Sequence, residues 1–304
     1  QTSFPEIEPN ESKAAATAAT CLAAGDSLTG TSTGTVTTAG ATSVDYFRVQ
    51  TCALPLGIYE HRLTLSTANG GSIRGVGQTA GVPNTTENEL QTNQTTPTRF
   101  NVWYGFGKSE ELYYRVTGAA ATTAAYTATL STTPITATNL GSFNPGSITI
   151  TTVGQGHTND TDLWIYDAAL TAVPQFGNDD EPLGSTLQSK LVRTFGAGVY
   201  YLALTRYNLA NELGAATDDD YQAGFCTDFP NLAVHGVVAQ TANLNISFSI
   251  SDGVTTLPVA ATVNTSSNAD QILWYTFTVG TPVVFHSFCA GDGSLTDHTT
   301  PCPC

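Results

Sequence analysis

Methionine is absent from all 304 residues, and charged residues supply only 12% of them. No apolar run approaches the roughly 20 residues that a membrane-spanning helix needs. With no Met even at position 1, Gln1 is expected to be the N-terminus of a processed, secreted chain. The charged share is about half that of an ordinary globular protein. Thr, Ala, Gly and Ser stand where Lys and Glu would, a profile that speaks against a cytoplasmic enzyme and for an extracellular structural protein. Basic residues are the scarcest: 10 Lys plus Arg face 25 Asp plus Glu, a formal net charge of −15. That field repels phosphate backbones and excludes nucleic acid as a partner. It draws divalent cations, or simply keeps the chain soluble.

Catalytic signatures are missing too. The five histidines, His61, His157, His235, His286 and His298, lie in no zinc motif, and there is no nucleophile elbow of the G-x-S-x-G type. Paired carboxylates of a glycosidase need no local motif and stay formally open, but the composition argues for a protein that is not an enzyme. Helical periodicity is nearly absent as well. The Ala-rich stretch from Ala14 to Ala24 carries Thr17, Thr20 and Cys21 and ends at Gly25, so it predicts at most a short helical turn.

What fills the chain is strand signal. Val44–Val49, Tyr59–Leu65, Phe100–Tyr104, Leu112–Val116 and Tyr126–Leu130 are β-branched or aromatic runs separated by Gly, Asn and Pro. A second set follows at Ser147–Val153, Asp162–Tyr166, Leu187–Val192, Val199–Leu204 and Leu244–Ile250. A third follows at Pro258–Val263, Ile272–Val279 and Val283–Phe288. Leu244, Ile246, Phe248 and Ile250 alternate with Asn245, Ser247 and Ser249, so one face of that strand is apolar. The reading is all-β: tandem antiparallel sandwiches of the jelly-roll or immunoglobulin kind, with modules at 1–134, 135–251 and an incomplete 252–304.

Six cysteines allow three disulfides in 15 connectivities. Cys21 and Cys52 share the first module and are the expected pair, whereas Cys226, Cys289, Cys302 and Cys304 are unassigned. Cys302-Pro303-Cys304 could bind metal, but disulfides suit an oxidising compartment better. Sequons at Asn10, Asn84, Asn93, Asn159, Asn245 and Asn264, with Thr pairs such as Thr122-Thr123, are sites for glycans if the host adds them. Trp103, Trp164 and Trp274, with Tyr104, Tyr113, Tyr114, Tyr200 and Tyr201, could stack on sugars. Each sits in a strand pattern, which makes core packing the default.

The acidic opening Glu6-Ile7-Glu8-Pro9-Asn10-Glu11, the turn Gly25-Asp26…Gly30, the strand Asp45-Tyr46-Phe47-Arg48-Val49 and the closing runs Leu112–Val116 and Tyr126–Leu130 occur in the order found in the bacterial pre-peptidase C-terminal domain. The first module resembles that family over residues 1–134. Asp160-Thr161-Asp162-Leu163-Trp164-Ile165-Tyr166-Asp167, Asn178-Asp179-Asp180 and Gly198-Val199-Tyr200-Tyr201-Leu202 resemble further phrases of it. The stretch from Asp270 to Phe277 looks like the start of another copy. The Cys- and Gly-rich tail resembles a connector of secreted bacterial proteins, which implies a chain continuing past Cys304.

Relatives of this family include collagen-binding domains of bacterial collagenases, which bind calcium through the acidic opening. The resemblance implies calcium ligands at Glu6, Glu8, Asn10, Glu11 and Asp45, oxygen donors of the kind calcium takes. Ser43 stands where those relatives carry a second acid. The bland alternative is an acidic linker crossing a sheet edge. Asp160, Asp162, Asn178, Asp179 and Asp180 form a second candidate cluster, and Asp218–Asp220 a third, although Asp and Asn are also ordinary turn residues.

Two functions follow as expectations. One is a subunit of a bacterial surface fibre or pilus-like homopolymer. There the incomplete third module borrows a strand from a neighbour, and a free N-terminal segment (Gln1 to Glu8), with Phe4 and Ile7 as anchors, donates it. The other is a calcium-stabilised accessory region of a larger secreted hydrolase or adhesin, holding polysaccharide or matrix protein.

Overall fold

The computed structural model describes residues 1–31, 44–79, 82–95, 98–118, 125–181, 186–219, 226–236, 243–263 and 271–280. The expected strand Val283–Phe288, and Ser43, Asp220, Asn264, Cys289, Cys302 and Cys304, lie outside these residues. Among the described residues no helix is long and apolar enough to cross a membrane.

The first half contributes β1 (Ser3–Pro5), β2 (Thr17–Leu22), β3 (Ser27–Thr31), β4 (Val44–Thr51), β5 (Ile58–Leu65), β6 (Gly70–Thr79), β7 (Val82–Thr92), β8 (Arg99–Gly105), β9 (Glu111–Thr117) and β10 (Ala125–Ile135). The rest contributes β11 (Thr138–Phe143), β12 (Gly146–Thr151), β13 (Thr161–Tyr166), β14 (Ala172–Asn178), β15 (Lys190–Phe195), β16 (Gly198–Arg206), β17 (Leu209–Ala210) and β18 (Leu232–His235). It ends with β19 (Leu244–Asn245), β20 (Phe248–Ser251), β21 (Thr256–Val259), β22 (Thr262–Val263) and β23 (Leu273–Val279). The all-β sandwich fold expected from the strand pattern is what forms.

Among the described residues four sheets carry the fold, in the orders β2-β4-β9-β6-β7, β1-β3-β10-β5-β8-β18-β17, β11-β23-β16-β13-β14 and β15-β12-β20-β21, with β19-β22 as a separate ribbon. Side-chain alternation fixes how they stack. Phe47, Val49, Tyr114 and Val116 from the first sheet meet Leu63, Trp103, Tyr126 and Ala128 from the second. On the opposite face of the second sheet, Phe100, Val102 and Tyr104, with Phe106 just beyond β8, meet Trp164, Tyr166, Ala203 and Trp274 of the third. The third sheet's other face, with Leu163, Ile165, Leu202, Leu204 and Phe277, packs on Ile148, Ile150, Phe248 and Ile250 of the fourth. The described residues thus form a stack of four β-layers around three apolar cores.

The middle core explains the runs in β8 and β13. Phe100–Phe106 and Thr161–Tyr166 are buried at every position because both faces of each strand are covered. Phe106, Tyr166 and Trp274 interlock there with ring centroids 5.3–5.6 Å apart, in tilted and edge-on contacts.

Sheet membership redraws the expected module boundaries. β17 and β18, from the second segment, extend the first segment's sheet: Leu232 and Ala233 pair with Gly105 and Tyr104 of β8. β21 pairs with β20, and β23 is hydrogen-bonded between β11 and β16. The described part of 252–304 is therefore the missing piece of the second sandwich and not an incomplete third module. Tyr275 and Phe277 fill that sandwich's core.

The Ala-rich stretch gives only a 3-10 turn at Lys13–Ala15, followed by β2. Ala19 and Leu22 are buried in the first core, and β2 runs parallel to β4, so tertiary packing overrides alanine's helical preference. The Cys21–Cys52 disulfide forms as expected and closes a sequence separation of 31. Cys226 is buried and makes no disulfide within the described residues.

Candidate metal centres at two sandwich rims

The N-terminal segment lies on its own sandwich. Phe4 pairs with Leu28 in a parallel β1–β3 contact and packs on the first core. The segment is therefore docked, not free, because the open edge of β3 and the first core take it up. Ile7 is not an anchor here: it is 68% exposed. From β1 the chain crosses the rim toward β2, and Asn10 accepts from the Tyr46 N–H at 2.8 Å through its backbone carbonyl.

That crossing brings Glu6, Glu8 and Asp45 together, with a carboxylate oxygen of each within 4.8 Å of the others. Gly30 makes room for it: a Cβ there would lie 2.5 Å from the Tyr126 hydroxyl and 2.7 Å from Glu6 Cδ. Glu6 Oε1 accepts from the Thr31 N–H at 2.8 Å, and Asp45 Oδ2 accepts from the Tyr126 hydroxyl at 2.8 Å. Glu6 Oε2, Asp45 Oδ1 and both side-chain polar atoms of Asn10 are buried with no hydrogen-bond partner. Glu11 stays exposed outside this triad. Asn10 is fully buried, which removes it as a glycan acceptor.

Three carboxylates at such spacing repel one another, more strongly between the buried Asp45 and the half-buried Glu6 than at the exposed Glu8, where water screens the charge. Burial, with Glu6 and Glu8 alongside, pushes Asp45 up to about 7 against the opposing Tyr126 hydrogen bond. Burial and the neighbouring Glu11 and Glu6 raise Glu8 as well. The buried, unpartnered Glu6 Oε2 and Asp45 Oδ1, with the exposed Glu8, whose Oε2 accepts from the Asn10 N–H at 3.1 Å, are oxygen donors of the kind a hard divalent cation takes. Glu6, Glu8 and Asp45 could hold calcium here.

A second cluster sits at the rim of the third sheet. Gly177 opposes Trp164, and its missing Cβ, which would fall 1.9 Å from the indole ring, lets β14 lie close on β13. Asn178 opposes Leu163. Continuing that register brings Asp179 and Asp180 alongside Asp162 and Thr161, next to Asp160. A carboxylate oxygen from each of Asp160, Asp179 and Asp180 lies within 4.8 Å of the others. Asp162 Oδ2 is engaged by the Leu209 N–H at 2.7 Å, and Asn178 Oδ1 by the Lys190 N–H at 2.8 Å. Burial and the surrounding Asp162, Asp180, Asp219 and Asp160 push Asp179 up to about 11, and burial with Asp180 pushes Asp160 up to about 6.

In the sequence Asp218–Asp220 stand apart from this group. Asp219 in fact belongs to it, its two oxygens accepting from the Asp179 and Asp180 N–H groups at 3.0 and 3.2 Å. Asp218 turns away to a bidentate pair with Arg193. No local pattern links Asp219 to Asp179; their approach depends on the path from β16 to β18.

The three tryptophans are core residues, at 0, 6 and 4% exposure for Trp103, Trp164 and Trp274, which removes them from any sugar-stacking surface. A groove of about 280 Å³ opens between the second and third sheets, lined by Leu56, Ile58, Ile135, Leu170 and Tyr201 among others, with no carboxylate, histidine or cysteine in its wall. The chain matches no protein-family model and no curated protein.

Proposed function

We propose that this chain is a non-enzymatic extracellular structural protein, a calcium-stabilised subunit of a bacterial surface fibre that polymerises through its N-terminal segment. The observation that carries the reading is β1. It is a three-residue strand at the outer edge of the seven-stranded sheet, paired in parallel to β3 and seated by a single apolar side chain, Phe4. A contact that small can be made equally well by the same segment of a neighbouring subunit, which turns a closed monomer into a head-to-tail polymer. Ile7, exposed beside it, gives such a contact a further apolar surface. The Glu6–Glu8–Asp45 cluster lies where the segment leaves the edge, so calcium there would fasten the strand to whichever sandwich receives it. The Thr-rich, Lys-poor composition and the likeness of the first module to the pre-peptidase C-terminal family agree with a secreted protein.

Electron microscopy of the secreted protein tests this. The full chain forms filaments that shorten or disappear in chelator, and a chain lacking residues 1–8 stays monomeric. Filaments of unchanged length from the shortened chain would refute the assembly route.

The groove favours a second reading, an accessory module holding a polysaccharide or matrix protein, because Tyr201 and apolar neighbours line it. Retention of a monomer on an insoluble polymer, lost in Tyr201→Ala, would favour that reading over the fibre.

A further inference from the structure

We propose that Asp160, Asp179 and Asp180 form a second calcium site, one that fastens the crossover between the two sandwiches. The proposal is independent of the fibre reading and of the N-terminal cluster.

The geometry comes first. Ligand oxygens about 2.4 Å from a calcium ion are at most about 4.8 Å apart, the spacing of two ligands on opposite sides of it. The oxygens of Asp160, Asp179 and Asp180 fall within that limit. Asp179 is only 4% exposed, yet neither of its carboxylate oxygens has a hydrogen-bond partner, and Asp160 Oδ1 is likewise buried and unpartnered. A buried carboxylate without donors is a costly group unless a cation meets it. The backbone just beyond β14 does not serve either, since the Asp179 and Asp180 N–H groups are already spent on Asp219. Arg206 acts on Asp160 electrostatically, while neither oxygen of Asp179 meets a hydrogen-bond donor among the described residues. All-oxygen, multiply anionic donors select calcium over zinc, which prefers nitrogen and sulfur. An irregular loop cage also suits calcium better than the strict octahedron of magnesium.

The position gives the site its consequence. Asp160 precedes β13 and its carbonyl accepts from the Tyr207 N–H at 3.3 Å; Asp162 holds the Leu209 N–H; Asp219 closes the far end of the described loop. Residues 207–219 run from the third sheet into the second through β17 and on toward β18, which joins β8. An ion bound by Asp160, Asp179 and Asp180 would pin both ends of that path to one rim.

Native mass spectrometry of the full chain with calcium chloride as the sole added metal decides the question, with hydrogen exchange on Tyr207 and Leu209 as the second readout. The wild type binds two ions, Asp179→Asn binds one, and Asp45→Asn also binds one. Calcium slows exchange of the 207 and 209 amides at least tenfold in wild type and in Asp45→Asn, and has no effect in Asp179→Asn. If Asp179→Asn does not fold, Asp160→Asn replaces it with the same expectations. An unchanged ion count in the Asp179 or Asp160 variant, or calcium protection surviving in it, overturns the site. Loss of only the Asp45-dependent ion would instead strike the N-terminal cluster and leave this one standing.

Discussion

The Tyr126 hydroxyl donates to Asp45 Oδ2 at 2.8 Å across the first sandwich, from β10 in one sheet to β4 in the other, with both residues buried. It ties the two layers at the rim where the N-terminal segment crosses. Tyr126→Phe leaves the Asp45 oxygens with no described hydrogen-bond donor while keeping the ring in the core. A buried hydrogen bond to a charged acceptor is worth about 1.5–3 kcal/mol. Urea denaturation of the calcium-free protein above about pH 8, where Asp45, raised to about 7, is charged, should show that loss; a change under about 0.5 kcal/mol would mean that water serves Asp45 as well.

The core between the second and third sheets should make the two sandwiches unfold together. Calorimetry of the wild type is expected to give one transition. Trp274→Ala removes a side chain that touches Tyr104, Phe106 and Tyr166 and should cost about 3–5 kcal/mol. It should also split the transition in two. Two transitions already present in the wild type would show that the layers are only loosely joined.

Acid stability should depend on Glu110. Its burial beside β9 would raise its pKa, but the His61 ring at 3.3 Å and the Lys108 N–H at 2.9 Å outweigh that and hold it below the usual glutamate value. The unfolded chain therefore binds more protons than the folded one in the window from pH 4.5 downward. The stabilisation is fully present above that window and is lost as the pH falls through the folded value. Glu110→Gln should be less stable than wild type at pH 7 and should close that gap as the pH falls through the folded Glu110 value, below the usual glutamate range. Parallel stability curves for the two proteins would assign the acid sensitivity elsewhere.

The Cys21–Cys52 bridge joins β2 to the end of β4, with Cys21 exposed and Cys52 half-buried. The double change Cys21→Ser, Cys52→Ser should cost about 2–4 kcal/mol. Dithiothreitol should lower the melting temperature of the wild type to that of the variant. A wild type indifferent to reductant would show that the bridge adds nothing to the parallel β2–β4 pairing.

Much of this architecture was legible because aromatic and β-branched residues recur at strand spacing: β4, β5, β8, β9, β13, β16 and β23 sit within two residues of their expected runs. β6 and β7 were not legible. β6 reads Gly70-Gly71-Ser72-Ile73-Arg74-Gly75, which looks like a loop. Yet Gly71 is required because a Cβ there would meet the Tyr114 hydroxyl at 2.4 Å. The doubled burial of Leu163-Trp164-Ile165-Tyr166 was visible as an unbroken apolar run, and its meaning was that both faces are covered. The acidic clusters were legible as far as motifs reach. Glu6, Glu8 and Asp45, and Asp160, Asp179 and Asp180, do converge, whereas the membership of Asp219 depends on a crossover that no short pattern encodes.

The hairpin of β17 and β18 has one more implication. A fragment ending near residue 134 would leave β8 with a bare hydrogen-bonding edge and would turn Phe100, Val102, Tyr104 and Phe106 outward to water. A fragment beginning there would carry Leu232 and Val234 with no sheet to enter. Neither half is a portable part. In gene fusion, in recombination or at the bench, the unit that can be cut out and moved is the whole pair of sandwiches.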